Sequence, residues 1–360
     1  MIDFASAAYL GFQHRREDLA AWSHWPSLTL GKPQALAESP AAHQLAQGLT
    51  ALTGLEDAVL GASTLHLFWD LFAVIESMRP SVYLVDAGLY PIARWGLERA
   101  GRRVLPFPRH DVESLARLLS IHRTRRPVVV CDGWSPVAGK PAPLADYQRL
   151  SDQAGGLVVV DDTQALGILG ERPEPNLPWG RGGGSSVRHQ RLRGGDVVWV
   201  ASLAKAFSAP LAALLGPKDV LNAFRDRALT RVHCSGPSEA SIAAGLAALR
   251  RNAKEGEMRR RSLASRITEF RGTLRQLDIP VAGGFFPYQT VKVDKAEAAH
   301  GYLARRGIEA VLHRSAANVP ACLSLLLRAD QRAVDIQRCA HALGNWQESQ
   351  RRNRYVRRAV

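Results

Sequence analysis

Residues 156–164 read GLVVVDDTQ, and residues 197–205 read VVWVASLAK. Each is an unbroken, β-branched apolar run closed by a group that a buried strand seldom carries: a carboxylate at Asp161, an amine at Lys205. Runs without polar alternation suit strands covered on both faces, as in a parallel sheet. Three further runs share this character: AVLGAS (58–63), SVYLVDA (81–87) and PVVVCDG (127–133). Between them lie LHLFWDLFAVIESM (65–78), YPIARWGLERAG (90–101), VESLARLLSIHR (112–123) and LADYQRLSDQAG (144–155), all with helical spacing. Strand and helix alternating in this way predict a doubly wound α/β domain with a mostly parallel sheet.

Working outward, residues 1–40 are rich in aromatics and turn formers and are expected to form an N-terminal arm. The large domain is placed at 41–245. A smaller α+β C-terminal domain follows at 246–345, with PYQTVKV (287–293) and ACLSLLL (321–327) as strands and AAHGYLARRG (298–307) and AVDIQRCAHAL (333–343) as helices. Residues 346–360 form a basic tail, and helix is expected from about Ser238 to Leu277. The stretch 171–196 is different, with four Gly and two Ser in the seven residues 180–186. It is expected to be a loop, either an active-site flap or a surface insertion.

Composition narrows the function classes. The 360-residue chain is 46% hydrophobic and 22% charged, which excludes disorder for most of its length. No run approaches the 18 or so apolar residues of a membrane span, and the N-terminus lacks a secretory pattern, so a cytoplasmic protein is expected. Four cysteines lie far apart without zinc spacing and are read as reduced thiols. The net charge is +14 and Arg-dominated. It suits anionic small molecules as well as nucleic acid, and the usual nucleic-acid motifs are missing, so nucleic acid is not the expected partner. His66, His110, His122, His189, His233 and His313 fall in unrelated elements without ligand spacing, so no metal site is expected.

Open α/β sheets bind ligands outside the carboxyl ends of their strands, which directs attention to the residues following each apolar run. Ser63 and Thr64 open a predicted helix, where free N–H groups and the helix dipole favour a phosphate. Asp161 is a carboxylate that needs a cationic partner. Lys205, flanked by Ala204 and Ala206, is an amine in apolar surroundings, where a lowered pKa suits imine formation. Each alone has an ordinary alternative: a turn or salt-bridge aspartate, a surface lysine, an N-cap. Together on one sheet edge they describe a pocket for pyridoxal 5′-phosphate (PLP), with Lys205 as its Schiff-base lysine and Asp161 holding the pyridine nitrogen protonated.

VVVDDTQALGILGERP (158–173), followed by VASLAKAFSAPLAALLGP (200–217), resembles the α-oxoamine synthase group of fold-type I PLP enzymes, which includes 8-amino-7-oxononanoate synthase. FASAAYLGF (4–12), residues 132–155, VHCSGPSEA (232–240) and residues 322–343 extend the resemblance over nearly the whole chain. It implies an acyltransferase that joins an amino-acid-like amine to an acyl thioester such as an acyl-CoA, through a Lys205 aldimine and a quinonoid. The basic surface suits CoA or an acidic acyl-carrier protein as the acyl carrier. By the same resemblance Ser202 holds the cofactor phosphate with Ser63 and Thr64, and Ser135 lies near the ring's phenolic oxygen. Ser235 reaches the phosphate from a neighbouring subunit, so a homodimer with shared active sites is expected.

The sequence also departs from that group. Tyr90 stands where the synthases have a histidine stacked on the ring, and Gln164 where they have a second histidine. Pro210-Leu211 replaces a Gly-Gly pair. The carboxylate-binding arginine aligns with Ser324 and its helper asparagine with Ala7, leaving Arg314 or Arg328 as substitutes. Three hypotheses follow: the acyltransferase with atypical carboxylate recognition; an aminotransferase, which Tyr90, Gln164 and the missing arginine favour; and a non-catalytic PLP-fold regulator.

Overall fold

The structure is a computed structural model that describes residues 1–14, 27–102, 104–122, 124–192, 195–315 and 320–358, with side chains as far as Arg352. Part of the predicted arm (15–26) and the side chains of most of the basic tail therefore lie outside the described residues. The chain divides into two compact units. One comprises Phe12–Ser135 and Pro141–Glu257; the other comprises Met1–Gly11, Pro136–Lys140 and Met258–Val360.

The larger unit is built on seven strands: β1 (Asp57–Gly61), β2 (Ser81–Asp86), β3 (Val104–Phe107), β4 (Arg126–Asp132), β5 (Leu157–Asp161), β6 (Val197–Ser202) and β7 (Ala212–Gly216). Their spatial order is β1-β7-β6-β5-β4-β2-β3. Only β7 runs antiparallel to its neighbours; every other pairing is parallel. The sheet is thus the large, mostly parallel α/β sheet that the apolar runs predict. Val128–Val130, Val158–Val160 and Val197–Val200 are fully buried, as strands covered on both faces must be.

Helices α1 (Pro40–Thr53), α2 (Thr64–Met78), α3 (Pro91–Arg99), α4 (Val112–Ile121) and α5 (Leu144–Gln153) provide the crossovers and flanking layers. Phe68 and Phe72 of α2 stack at 5.9 Å, and the Tyr83 hydroxyl of β2 donates to the Phe72 carbonyl at 3.0 Å, fixing α2 on the sheet. After β7 come α7 (Lys218–Arg227), α8 (Leu229–His233) and the start of the 38-residue α9 (Glu239–Gln276).

The described part of the Gly-rich stretch is anchored to the larger unit. It folds back on itself through reciprocal Glu171–Arg181 backbone bonds and ends in the short helix α6 (Ser185–His189). Ser185 and Ser186 are fully buried. Asp162, also fully buried, accepts the Ser186 hydroxyl at 2.6 Å, the Ser186 amide at 2.8 Å and the Trp199 indole N–H at 2.8 Å. Composition cannot distinguish an anchored turn from a mobile one; the anchor is Asp162, in the strand-end motif itself.

The smaller unit holds a four-stranded antiparallel sheet: β8 (Val281–Ala282), β9 (Tyr288–Val291), β10 (Val311–His313) and β11 (Cys322–Leu326), in the order β8-β9-β11-β10. Helices α10 (Ala296–Ala304) and α11 (Ala333–Arg358) belong to it. The first residues of the chain are integral here. Ile2–Asp3 pairs in parallel with Ile308–Glu309, and Phe4, Tyr9 and Leu10 are fully buried.

Candidate active site

Five parallel strand ends of the larger unit carry the predicted groups. Gly61 and Ser202 face Ala212 from opposite sides of β7, so Ser63 lies just beyond the same sheet edge that bears Ser202 and, three residues on, Lys205. Ser63 caps α2, its hydroxyl oxygen accepting the His66 amide at 3.4 Å and lying 2.8 Å from His66 Nδ1. Thr64, nearly buried, is the first residue of that helix. An anion at this end meets unsatisfied N–H groups and the positive end of the helix dipole.

Asp161 ends β5, buried, and its carboxylate accepts the Thr163 amide at 3.1 Å. The Thr163 hydroxyl oxygen in turn accepts the Ser202 amide at 3.1 Å, tying the Asp161 turn to the end of β6. Ser202 Oγ accepts the Ala204 amide at 3.2 Å, shaping the turn that presents Lys205. Burial pushes the Asp161 carboxyl above its ordinary pKa, opposed by the Thr163 hydrogen bonds and the Lys205 charge. Burial lowers the Lys205 amine, and Asp161 and Asp132 draw it partly back. Each of the two groups thus shifts the other towards its charged form.

A second carboxylate shares this edge. Asp132 ends β4 directly opposite Asp161 in the parallel register. Its Oδ1 accepts the Tyr90 amide at 3.1 Å. Burial first, then the neighbouring Asp161 charge, raises its carboxyl well above the ordinary range, against the Tyr90 hydrogen bond and Lys205. The signal was present in the sequence: Asp132 closes PVVVCD as Asp161 closes LVVVD. Gly133 is required here, because a Cβ would come within 1.9 Å of Asp162 Oδ1.

Tyr90 precedes Pro91 at the start of α3, and 57% of it is exposed. Ser135 is buried just after β4, and Gln164 is half-buried in the turn after β5. Ser235 is exposed after α8; the neighbouring Cys234 carbonyl accepts the Gln34 amide at 3.0 Å and the Gln34 side-chain amide donates to the Leu60 carbonyl at 2.8 Å, which ties this segment to the end of β1. Next to Lys205, Ala206 is buried and Ala204 exposed, so its surroundings are apolar on one side only.

In the smaller unit Ser324 is fully buried in β11, its Oγ 2.8 Å from His313 Nε2 and 3.4 Å from the Thr290 hydroxyl. The Tyr288 hydroxyl lies 3.0 Å from the same His313 nitrogen. Arg328 is already engaged by Asp3 and Asp330, at 2.5 and 3.1 Å, which assigns it a structural role. Arg314 is exposed. Among the described residues no group of three or more His, Cys, Asp or Glu side chains is arranged to hold a metal ion.

A partly buried lysine amine, a buried carboxylate on the next strand and a capped helix N-terminus on one edge form the donor set that PLP requires, and the residues present fit it. Comparison with known proteins agrees. Residues 1–343 match the family described as aminotransferase class I and II. The chain is 30% identical over 302 residues to an 8-amino-7-oxononanoate synthase of Nitrosococcus oceani, covering 82% of this chain and 69% of the relative. It is 28% identical over 357 residues to that of Klebsiella pneumoniae, covering 95% and 88%. Among solved structures, the serine palmitoyltransferase of Sphingomonas wittichii superposes with a TM-score of 0.83 at 16% identity, over 96% of this chain and 87% of that one. The 8-amino-7-oxononanoate synthase of Francisella tularensis gives 0.75 at 14%, over 96% and 97%. The chain belongs to the aminotransferase class I and II family, as an α-oxoamine synthase-like, fold-type I enzyme dependent on PLP. It is a PLP-dependent transferase.

Proposed function

We propose that the enzyme condenses an amino-acid-like amine with an acyl thioester, recognising the amine's head group differently from its synthase relatives. The observation that carries this is the Lys205–Asp161 pair, set on adjacent strand ends with Ser63, Thr64 and Ser202 along the same edge. PLP, when bound, supplies an aldehyde that condenses with amines and a ring that accepts the electron pair of a substrate carbon. Lys205 Nζ would hold the cofactor aldehyde and, once the substrate amine displaces it, would be the free base that takes a proton from the substrate α-carbon. Its lowered pKa keeps more of the amine in the neutral, proton-accepting form. Asp161 holds the proton on the pyridine nitrogen. The hydroxyls of Ser63, Thr64 and Ser202 and the α2 N-terminus bind the phosphate. Tyr90 would lie against the ring, and Gln164 and Ser135 would be the hydrogen-bonding groups for its phenolic oxygen. With Ser324 buried against His313 and Arg328 already paired, a bidentate arginine clamp from these positions is not formed.

A homodimer with Ser235 contributed by the second subunit is part of the same proposal. Leu65 and Trp69 stand one turn apart on α2, and Trp69 meets Arg99 of α3 at 4.6 Å. Trp95 stands one turn before Arg99, and all three apolar side chains are exposed, as are Leu229 and Val232 of the adjoining α8. Such a patch supports a protein partner. Among the described residues no helix is long and apolar enough to cross a membrane.

The test is an absorbance spectrum of the PLP-saturated protein beside Lys205→Ala, before and after borohydride. A visible band that borohydride removes, with cofactor mass fixed on the Lys205 peptide, is expected. Amines with and without an acyl thioester follow. Acyl transfer predicts turnover only when both are present. Transamination, which Tyr90, Gln164 and Ser324 favour, predicts conversion of the cofactor to its amino form by the amine alone.

A further inference from the structure

Three arginines outside the strand-end site line one open cavity of about 410 Å³, with Glu171 and Leu192 completing its wall: Arg172, Arg188 and Arg191. Arg188 is the placed member. Its side chain crosses two glycines, since a Cβ on Gly54 would come within 2.7 Å of Arg188 Cζ and one on Gly184 within 2.8 Å of Arg188 Cγ. It bonds the Ala51 and Leu52 carbonyls at 3.3 and 3.4 Å and pairs with Glu171 at 3.0 Å. Among the described residues Glu171 is the only carboxylate in the wall, so two of the three guanidinium charges are left without a counter-charge from them there.

Arg172 and Arg191 make no ion pair or side-chain hydrogen bond among the described residues. Both adopt the left-handed backbone, with φ of 54° and 55°. That conformation favours glycine and asparagine and carries strain for a long side chain. The same stretch has glycine at positive φ at Gly180, Gly182 and Gly183, and a serine there at Ser185. Arginine at 172 and 191 therefore adds strain and charge repulsion around one cavity, in a segment otherwise anchored through Ser186 to Asp162. Strained residues held by a rigid surround are a signature of function.

We propose that this cavity binds a small phosphoryl-bearing anion, with Arg172 and Arg191 as its exposed cations and Arg188 as its fixed wall. Planar guanidinium forks match phosphate oxygens. The volume lies in the range of small-ligand sites. The site is separate from the cofactor phosphate, which belongs at the α2 N-terminus on the strand-end edge, and it does not depend on which reaction the enzyme performs.

The test is isothermal titration of the PLP-loaded enzyme, its cofactor phosphate site filled, with inorganic phosphate and with pyrophosphate. The first variant is Arg172→Asn with Arg191→Asn, since asparagine accepts the left-handed backbone and keeps the fold. A control variant, Arg117→Ala with Arg149→Ala, removes the same charge from exposed positions on α4 and α5. Saturable binding is expected, weakened about tenfold or more in the asparagine variant and little changed in the control. Tighter binding of pyrophosphate assigns a diphosphate, and equal or tighter binding of phosphate assigns a monophosphate. No saturable binding of either anion, or equal weakening in both variants, overturns the proposal. The second result would reduce the effect to the general positive charge of the protein.

Discussion

Removal of the Asp132 carboxylate tests how the strand-end site is assembled. Tyr90 sits immediately before Pro91, which has no N–H, so the Tyr90 amide is the last backbone donor before the amides of α3, and Asp132 Oδ1 accepts it at 3.1 Å. A hydrogen bond to a charged acceptor contributes about 1.5–3 kcal/mol. The Tyr90 donor is exposed enough to rehydrate, so the lower figure applies: about 1.5 kcal/mol, or roughly tenfold in PLP affinity if the bond serves to hold the Tyr90 ring. Asp132→Ala is therefore expected to weaken PLP binding about tenfold, read from the visible band on titration with cofactor. Asp132→Asn keeps an oxygen acceptor and is expected to stay within about threefold of wild type. Tyr90→Ala removes the ring itself and is expected to cost about as much as Asp132→Ala or somewhat more. The decisive variant is the double, Asp132→Ala with Tyr90→Ala. If the carboxylate acts through the ring, the double variant binds PLP about as weakly as Tyr90→Ala alone. Losses that simply multiply, to roughly a hundredfold, would refute the coupling and leave Asp132 an independent electrostatic group.

Other expectations follow from the same geometry. Without cofactor, Asp132→Asn is expected to stabilise the protein at pH 8. The folded-state pKa of Asp132 is raised above its unfolded value of about 3.9, so ionisation penalises the folded wild type. The gain is absent below the unfolded pKa, grows as pH rises through the interval, and levels off above the folded pKa; thermal melts across pH read it. Ser186→Ala removes the hydroxyl donor to buried Asp162 and is expected to cost about 1.5–3 kcal/mol, seen as a melting temperature roughly 2–4 °C lower. Leu65→Asp with Trp69→Asp places charge on the exposed apolar patch and is expected to give a monomer by sedimentation with the fold intact by circular dichroism. An unchanged dimer would move the interface elsewhere.

What the sequence determined by itself follows from local rules. Strands covered on both faces must be apolar at every position, so β1, β2, β4, β5 and β6 were legible as runs, and Asp161 and Lys205 stood out because ionisable groups next to such runs are costly. β3 and β7 were not legible. Pro106 interrupts β3, which is tolerated only because that strand lies at the sheet edge, and the AALLG of β7 has too little β-branched character to separate it from helix. Tertiary structure decided the rest, because strand order and register depend on which chain segments meet. Register set Asp132 opposite Asp161, and a hydrogen bond between residues 42 apart joined it to Tyr90. Folding of the Gly-rich stretch buried Ser186 against Asp162, and the same fold gathered Arg172, Arg188 and Arg191 around one cavity. Composition gives the chemistry available at each position, while proximity across the chain decides which of those groups act together.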